Sequence, residues 1–417
     1  MKLNSLIIYL IAAYLVSACS SSETAEDVLE PKQPINLELT RAESDVAKQT
    51  LSFNTDLLDA FCKYSDASEN IAVSPVTMFI SLSMLANASE SEFRQSILDA
   101  LGSSDLSGIS SLANKFLTTL PYMDSGTPLS IASSVWYKND YNLSKSFEEC
   151  MKNYYQSEIF GIDSFENGGI DEINNWISDR TDGRIKEIIK PLKYDILAAF
   201  VSTLYFQGDW SIPFDKKETS KQPFNGLDGI TSVEMMHRQA YLPYFENDYF
   251  SAVYLNFGSS NFRAMFILPN EFRQIKGKMD PGIIGKVNNA DFQLANVDFK
   301  LPKFKISTNL KDLREIISSM GIDLIFPQEV TIFDEKPEVF VHPFHNCSIE
   351  INEKGAIGSA ASSVVLEDVS PMPKDKTLRN LHLNRPFYFI ITERTTGHSI
   401  LAGHVTNLKL SNLKSPE

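Results

Sequence analysis

One segment near the carboxyl end of the chain constrains the fold more than any other feature. From Gly355 to Leu366, twelve residues carry neither charge nor proline; charged residues begin at Glu367, and the first proline is Pro371. This composition suits a strand inside a sheet, because proline would remove a ladder hydrogen bond and a charge would be buried. One alternate set contains only small or apolar side chains: Ala356, Gly358, Ala360, Ser362, Val364 and Leu366. The segment is therefore suited both to exposure as a loop and to burial as a strand.

The composition is that of a globular protein with an acidic surface. Hydrophobic residues make up 43% and charged residues 22% of the 417 residues, which is too apolar for a disordered chain. The 38 basic and 53 acidic side chains give a formal net charge of −15. Because an acidic chain repels phosphate and sulfate groups, we expect neither nucleic acid nor sulfated polysaccharide as a partner.

Residues 1–18 indicate an export signal that is not part of the fold. Lys2 precedes an apolar stretch, Leu6 to Val16, that is too short to span a bilayer. Small residues then precede Cys19, which resembles a bacterial lipoprotein signal in which this cysteine is lipidated. We expect residues 19–42 to form a lipidated, flexible tether and the protein to lie in the bacterial cell envelope, on the outer membrane or cell surface. The alternative is a plain secretory signal and a secreted or periplasmic protein.

The other cysteines and the histidines predict neither a metal site nor a catalytic centre. Cys62, Cys150 and Cys347 are scattered, without a second cysteine or a histidine at metal-binding spacing. The motifs of serine hydrolases, zinc proteases, phosphate loops and dinucleotide-binding folds are absent from the sequence. We therefore expect no cofactor and no enzymatic activity; a hydrolase whose nucleophile has no sequence motif is the alternative.

Helical patterns precede strand patterns along the chain. Residues 46–64 have apolar side chains at helical spacing, and a nearly uncharged helix is predicted for Val76 to Ala88. Ala198 to Phe206 and Phe262 to Leu268 are β-type apolar runs, and the last hundred residues consist mostly of strand patterns. No internal repeat or linker interrupts residues 43–413. This order predicts one large α+β domain.

Five stretches, in sequence order, resemble the serpin family. They are NIAVSPVTMFISLSMLANAS (70–89), INNWISDRTDGRIKEII (173–189), STLYFQGDWSIPFD (202–215), LPKFKISTNLKDLREIISSMGIDLIF (301–326) and NRPFYFIITERTTGHSILAGHVTNL (384–408). One such match is a weak signal, but five in order are specific. The resemblance implies a single serpin domain of about eight or nine helices and three β-sheets, with an exposed reactive-centre loop near the carboxyl end.

The resemblance places the reactive-centre loop at about residues 353–380. In serpins a protease cuts this loop, and the cut loop enters the main sheet as a new strand. The resemblance thus implies a monomeric, irreversible suicide-substrate inhibitor of serine proteases, with cysteine proteases as a second class. A non-inhibitory serpin-fold binding protein is the alternative. The residues that correspond to the hinge of the loop are Glu353, Gly355, Ala356, Gly358, Ser359, Ala360 and Ala361, and we expect the loop to lie outside the sheet until it is cut.

The family's spacing predicts the position of the cut. It places the bond sixteen residues after Glu353, between Val369 and Ser370. A β-branched aliphatic residue before the bond suits a small apolar specificity pocket, so an elastase-like protease is the expected target. The segment after the bond is longer than in many family members, which leaves other sites open: Asp368–Val369, Lys374 and Lys376.

The resemblance also assigns a polar cluster, the shutter, beneath the opening of the main sheet. The corresponding residues are Ser74, Thr77, Ser202 and His345. Ser202 stands where the family carries Asn, so we expect one hydrogen bond of this cluster to be unmade or bridged by water. The sequence does not fix whether this change eases or hinders the opening of the sheet.

The lipid anchor predicts where a Cys19→Ser variant is found. The variant should leave the membrane fraction, because acyl chains contribute about 0.8 kcal/mol per buried methylene and residues 43–413 are unchanged. Cell fractionation with immunoblotting measures this, and Cys150→Ser, which keeps the anchor, should stay with the membranes. A processed Cys19→Ser protein that remains membrane-bound would contradict the prediction.

Overall fold

The described part of this computed structural model lies between residues 34 and 408. Its residues are 34–66, 68–181, 183, 196–270, 286–287, 290–309, 313–324, 326–335, 337–339, 341, 345–356 and 376–408. Residues Pro31–Glu417 form one compact unit. No helix within the described ranges is long and apolar enough to cross a membrane.

Most helices precede residue 181, as the sequence pattern predicts. In the described ranges the α-helices are α1 (Arg41–Gln49), α2 (Ser52–Tyr64), α3 (Pro75–Asn87), α4 (Ser91–Leu101), α5 (Leu106–Thr119), α6 (Lys145–Tyr155), α7 (Asn167–Arg180) and α8 (Arg314–Ser318). In α3, Ser74 caps the amino end and Pro75 takes the first position, where no N–H is needed. Eleven of the thirteen residues of α3 are buried, which agrees with its nearly uncharged sequence.

The amino-terminal residues before α1 contact the folded body. The side chain of Leu37 is 2% exposed, and its N–H donates to Thr395 Oγ1 over 3.0 Å. The Asn261 side chain accepts from the N–H of Ile35 and donates to its carbonyl oxygen. Residues from 34 onward thus contact the folded body, whereas we expected a flexible tether to extend to residue 42. Residues 19–33 lie outside the described part.

Eighteen strands are described. They are β1 (Ile71–Val73), β2 (Leu129–Lys138), β3 (Glu158–Ile162), β4 (Ala198–Phe206), β5 (Gly208–Asp209), β6 (Ser220–Gly226), β7 (Gly229–Glu246), β8 (Phe250–Phe257), β9 (Phe262–Pro269), β10 (Gln293–Pro302), β11 (Phe304–Asn309), β12 (Gln328–Glu329), β13 (Glu338–Val339), β14 (Asn346–Ile351), β15 (Gly355–Ala356), β16 (Arg379–His382), β17 (Phe387–Glu393) and β18 (Ser399–Val405).

These strands form four sheets in the described part, where three were expected. The largest has nine strands in the order β1-β18-β17-β9-β8-β7-β10-β16, with β6 added against β7. A three-stranded sheet has the order β3-β2-β4, and a four-stranded sheet has the order β11-β14-β15-β5. The fourth is the two-stranded ladder of β12 and β13. The predicted α+β class is confirmed, with helices early and strands late.

Two hydrophobic clusters fix the position of β4. Its even-numbered residues Leu204 and Phe206 belong to the large core that includes α3 and strands of the nine-stranded sheet. Its odd-numbered residues Ala199 and Val201 belong to a smaller cluster with Trp176 and Ile177 of α7. Because successive side chains of a strand point to opposite faces, one face of β4 meets the core and the other meets α7. The remaining edge of β4 lies at the candidate site.

Candidate functional site

The hinge enters a sheet between two other strands. Gly355 and Ala356 form β15, which pairs antiparallel with β14 on one side, where Ala356 lies opposite Ile351. On the other side β15 pairs antiparallel with β5, where Ala356 lies opposite Gly208. Ala356 is 1% exposed and belongs to the large core. Our expectation that the loop lies outside the sheet until it is cut is therefore wrong for Gly355 and Ala356.

A tight turn brings the chain from β14 back into β15. The N–H of Asn352 donates to the carbonyl oxygen of Gly355 over 2.9 Å. The side-chain oxygen of Asn352 accepts from the N–H of Lys354 over 2.9 Å and from that of Gly355 over 3.3 Å. An Asn side chain that bonds to the backbone in this way stabilises a turn. Asn352 thus directs the hinge toward the sheet.

Gly355 is required at its position by the backbone. Its φ of 151° is one that residues with a side chain rarely adopt, and a Cβ atom there would overlap the carbonyl oxygen of Gly208. Glycine therefore permits the close approach of the two strands at the entrance of the hinge.

The segment after β5 holds the hinge from the other side. Trp210 donates its backbone N–H to the carbonyl oxygen of Lys354 over 2.6 Å and its indole N–H to that of Asn352 over 3.0 Å. The N–H of Phe214 donates to the carbonyl oxygen of Glu353 over 2.9 Å. Three consecutive residues of the hinge turn are therefore bonded to this one segment.

The side chain of Glu353 is buried and forms an ion pair. Glu353 is 7% exposed, and its carboxylate accepts from Thr219 Oγ1 over 3.1 Å and lies 3.4 Å from Lys303 Nζ. Lys303 also pairs with Glu234 over 3.1 Å. Removing one partner of a buried ion pair costs about 3–5 kcal/mol, because the other charge is left uncompensated. Glu353 thus joins the start of the hinge to Thr219, which precedes β6, and to Lys303, which follows β10.

Below the hinge, β4 and β14 face one another without a ladder between them. In the described ranges β4 pairs only with β2, and β14 pairs with β11 and β15. β15 therefore joins the two halves of this sheet at one end only. The hydroxyl groups of Ser202 and Thr203, both in β4, are buried without a hydrogen-bond partner in the described part, and they point to opposite faces of the strand. The facing backbone edges of β4 and β14 have no ladder between them in the described ranges, so these edges are suited to receive another strand.

Three of the four predicted shutter residues are joined. The Ser74 hydroxyl accepts from the N–H of Thr77 over 3.4 Å, and the N–H of Ser74 donates to His345 Nε2 over 3.0 Å. Burial lowers the pKa of His345 to about 4, so this imidazole is neutral at pH 7 and can accept the bond. Ser202 is not joined to them, since its hydroxyl has no partner among the described residues.

The other predicted site residues lie outside the described part. They are Val369 and Ser370 at the expected bond, Gly358, Ser359, Ala360 and Ala361 of the hinge, and Cys19 at the expected lipid anchor. No group of three or more metal-ligating side chains occurs in the ranges that the structure describes.

The residues that hold the hinge were not predicted from the sequence. Trp210 and Gly208 lie within the stretch STLYFQGDWSIPFD, which indicated a family but not a contact with residues 353–356. Lys303 and Asn352 carried no signal of their own, because their partners are distant in sequence or belong to a turn that a strand pattern does not predict.

Comparisons with known proteins agree with this architecture. A family model described as Serpin (serine protease inhibitor) matches residues 48–408. A serine protease inhibitor of Cyanea capillata is 28% identical over 361 residues, covering 82% of this chain and 93% of its own. Iripin-2 of Ixodes ricinus is 26% identical over 383 residues, covering 88% of this chain and 94% of its own.

Solved structures share the fold. The native state of Tengpin, a thermophilic serpin, superposes with a TM-score of 0.75 at 24% identity, covering 90% of this chain and all of Tengpin's. Human thyroxine-binding globulin complexed with thyroxine gives a TM-score of 0.76 at 23% identity, covering 88% of this chain and 100% of its own.

The burial of Ala356 predicts the effect of an Ala356→Arg substitution on the uncut protein. A buried, unpaired guanidinium costs several kcal/mol, more than the few ladder hydrogen bonds of β15 return at about 0.5–1.5 kcal/mol each. The hinge should therefore leave the sheet while the rest of the fold persists. Hydrogen exchange of the Trp210 amide, which bonds to Lys354, should become at least tenfold faster.

Leu378→Arg is the matched control, because Leu378 is 46% exposed beyond the far end of the loop. It should leave exchange at Trp210 unchanged. Unchanged protection of Trp210 in Ala356→Arg would show that Ala356 is not held in the sheet.

Proposed function

The chain belongs to the serpin family, and we propose that it is an irreversible suicide-substrate inhibitor of serine proteases, not an enzyme. One observation carries this proposal: β15 already occupies the end of the gap between β14 and β4. The residues that follow Ala356 are uncharged and free of proline to Leu366, as a strand that fills this gap requires. Cysteine proteases, which also form acyl-enzymes, are the second target class.

The pairing of β15 defines how the inserted strand would lie. Since Ala356 is opposite Gly208 and Ile351, antiparallel continuation places Ala360 opposite Leu204 and Cys347. Leu204 and Cys347 are buried in the large core, so a small side chain is needed at Ala360. Ser359 would lie opposite the half-exposed Tyr205 on the other face.

The chemistry of inhibition belongs to the protease. Its nucleophilic oxygen attacks the carbonyl carbon of Val369, the bond to Ser370 breaks, and the new amino group of Ser370 leaves with a proton. The chain is then held to the protease as an acyl ester at Val369. Entry of the loop into the sheet moves this ester away from its original position, and distortion of the protease prevents attack by water.

Insertion is favourable enough to drive this movement. Because Gly355 and Ala356 are already paired, the ten residues 357–366 enter as a strand, and at about 0.5–1.5 kcal/mol net per hydrogen bond they contribute on the order of 10 kcal/mol. This is comparable to the whole stability of a domain, so the uncut fold is held by a kinetic barrier.

We assign the cut to Val369–Ser370 and the target to an elastase-like protease. This assignment rests on the family's spacing and on the β-branched side chain of Val369, which fits a small apolar pocket. Cleavage at Lys374 or Lys376 would bring Pro371 and Pro373 toward the sheet, where proline cannot pair. Such cuts should give turnover without inhibition.

We also propose that the inhibitor is anchored to the bacterial cell envelope through Cys19. The signal-like residues 1–18 and the small residues before Cys19 support this location. The Cys19→Ser fractionation described above tests it independently of inhibition.

A second candidate function is small-molecule binding without inhibition. A cavity of about 280 Å³ lies between α2 and strands of the nine-stranded sheet, near the lower limit for ligand sites. Leu58, Phe292 and Ile390 line its apolar part, and Arg263 supplies a cation. The hinge favours inhibition over this alternative, because a carrier has no need of a loop that can enter the sheet.

Inhibition by insertion predicts opposite outcomes for two neighbouring arginine substitutions. Ala360→Arg would place a cation in the core and should be cut at the same bond without trapping the protease. Ser359→Arg would lie on the half-exposed face and should still form a complex with elastase that survives denaturing electrophoresis. The number of inhibitor molecules consumed per protease should rise at least tenfold in Ala360→Arg and stay within about twofold in Ser359→Arg.

Cleavage of the parent protein should also raise its melting temperature. Equal trapping by both variants, or an unchanged melting temperature after cleavage, would exclude inhibition through loop insertion. Mass spectrometry of the cut product locates the bond and thus tests Val369–Ser370 separately.

A further inference from the structure

Strand β16 holds the far end of the candidate loop with few contacts. It begins at Arg379, shortly after residues 357–375, and it lies at the end of the strand order of the nine-stranded sheet. In the described ranges its only ladder is the parallel one with β10. Of its four residues only Leu381 is buried. A short edge strand of this kind depends on side-chain contacts for its stability.

A cluster of three side chains connects β16 to the next two strands. Asp298 of β10 lies between His382 of β16 and His237 of β7. Its carboxylate oxygens are 3.1 Å from His382 Nε2 and 2.8 Å from His237 Nε2. The three side chains are 22–32% exposed. One carboxylate therefore joins three adjacent strands through two imidazoles.

Two other charged side chains lie on the same face as this cluster. Glu218, in the short 3-10 helix Lys216–Glu218, places its carboxylate 3.2 Å from His237 Nδ1. Lys300 lies opposite both histidines in the ladders, but its ammonium group bonds to Gln222 Oε1 over 3.3 Å. Glu218 and Lys300 are the other charged groups whose contacts place them on this face.

Asp298 stays ionised at pH 5.5 and above. Partial burial would raise the pKa of Asp298, but hydrogen bonds from His382 and His237 outweigh it and lower the pKa. A protonated imidazole donates from both ring nitrogens, so the protonated cluster is two cations hydrogen-bonded to one carboxylate.

We propose that His237, Asp298 and His382 form a protonation-dependent clamp that holds β16 against β10 and the nine-stranded sheet. When the imidazoles are neutral, each can donate only one proton, and His237 Nδ1 presents a lone pair to Glu218. When they are protonated, both bonds to Asp298 become charge-assisted and His237 also donates to Glu218. The clamp is therefore tighter when the imidazoles are protonated, and a comparison of pH 5.5 with pH 8.0 tests this.

The strength of the clamp and the stability of the whole fold depend on pH with opposite signs. Burial lowers the pKa values of His345, His398 and His404 to about 4, below the ordinary 6.5. The unfolded chain thus binds more protons at pH 5.5, and global stability falls as pH drops below 6.5. A gain of protection in β16 at pH 5.5 consequently reports the clamp and not the stability of the domain.

Hydrogen–deuterium exchange of the uncut protein, without any protease, tests the clamp. The measured quantity is the protection factor of the amides of residues 379–383, which corrects for the intrinsic effect of pH on exchange. In the parent protein it should be about five- to tenfold higher at pH 5.5 than at pH 8.0, since charge-assisted bonds are about twice as strong and half-exposed groups are partly screened. In Asp298→Asn the ratio should fall to about one.

Arg379→Gln is the matched control on the same strand. Arg379 pairs with Glu246 over 3.4 Å, a contact that includes none of the three side chains of the clamp. This variant should lower protection at both pH values and keep the ratio. A parent ratio near one, or an undiminished ratio in Asp298→Asn, would overturn the proposal. Because no protease is present, failure of the inhibitor proposal would not alter the outcome.

Discussion

The pairing of two residues, Gly355 and Ala356, between β14 and β5 is the constraint on which the rest of the site depends. It closes a sheet at one end and leaves the facing edges of β4 and β14 without a ladder in the described part. The chain can adopt it because Gly355 has no side chain to meet Gly208 and because Ala356 is small enough for the core. A larger residue at either position would open this end.

The hinge is therefore held in a defined direction before any cleavage. Asn352 stabilises the turn, Trp210 donates hydrogen bonds to it, and Glu353 forms an ion pair with Lys303. The first residues of the loop are thus already ordered and directed toward the gap before cleavage, which lowers the entropic cost of insertion. Insertion only extends a ladder that already exists. This makes rapid entry after cleavage physically reasonable, and rapid entry is what an inhibitor needs to outrun hydrolysis of the acyl ester.

Much of this arrangement could be predicted from the sequence, and the remainder shows what patterns omit. The α+β class and the buried helix α3 follow from the order and the spacing of the apolar residues. The segment after Gly355 was identified as suited to burial because it lacks charge and proline. The position of Ala356 inside the sheet of the uncut protein was not predicted. Composition shows which residues can be buried, but it does not show whether they are buried before or only after cleavage. The contact of Glu353 with Lys303 was missed because it joins residues distant in sequence.

The central claim is that the cut loop extends β15 between β14 and β4 in the register set by Ala356. This register places Ala360 opposite Cys347, a free and buried cysteine, at a separation that a disulfide can bridge. In an Ala360→Cys variant, oxidation after cleavage should link that position to Cys347, as found by mass spectrometry of the joined peptides. Ser359→Cys should not form this link, because its side chain would point to the other face. A link to Cys347 that forms equally well from Ser359→Cys, or none from Ala360→Cys after cleavage, would contradict the account.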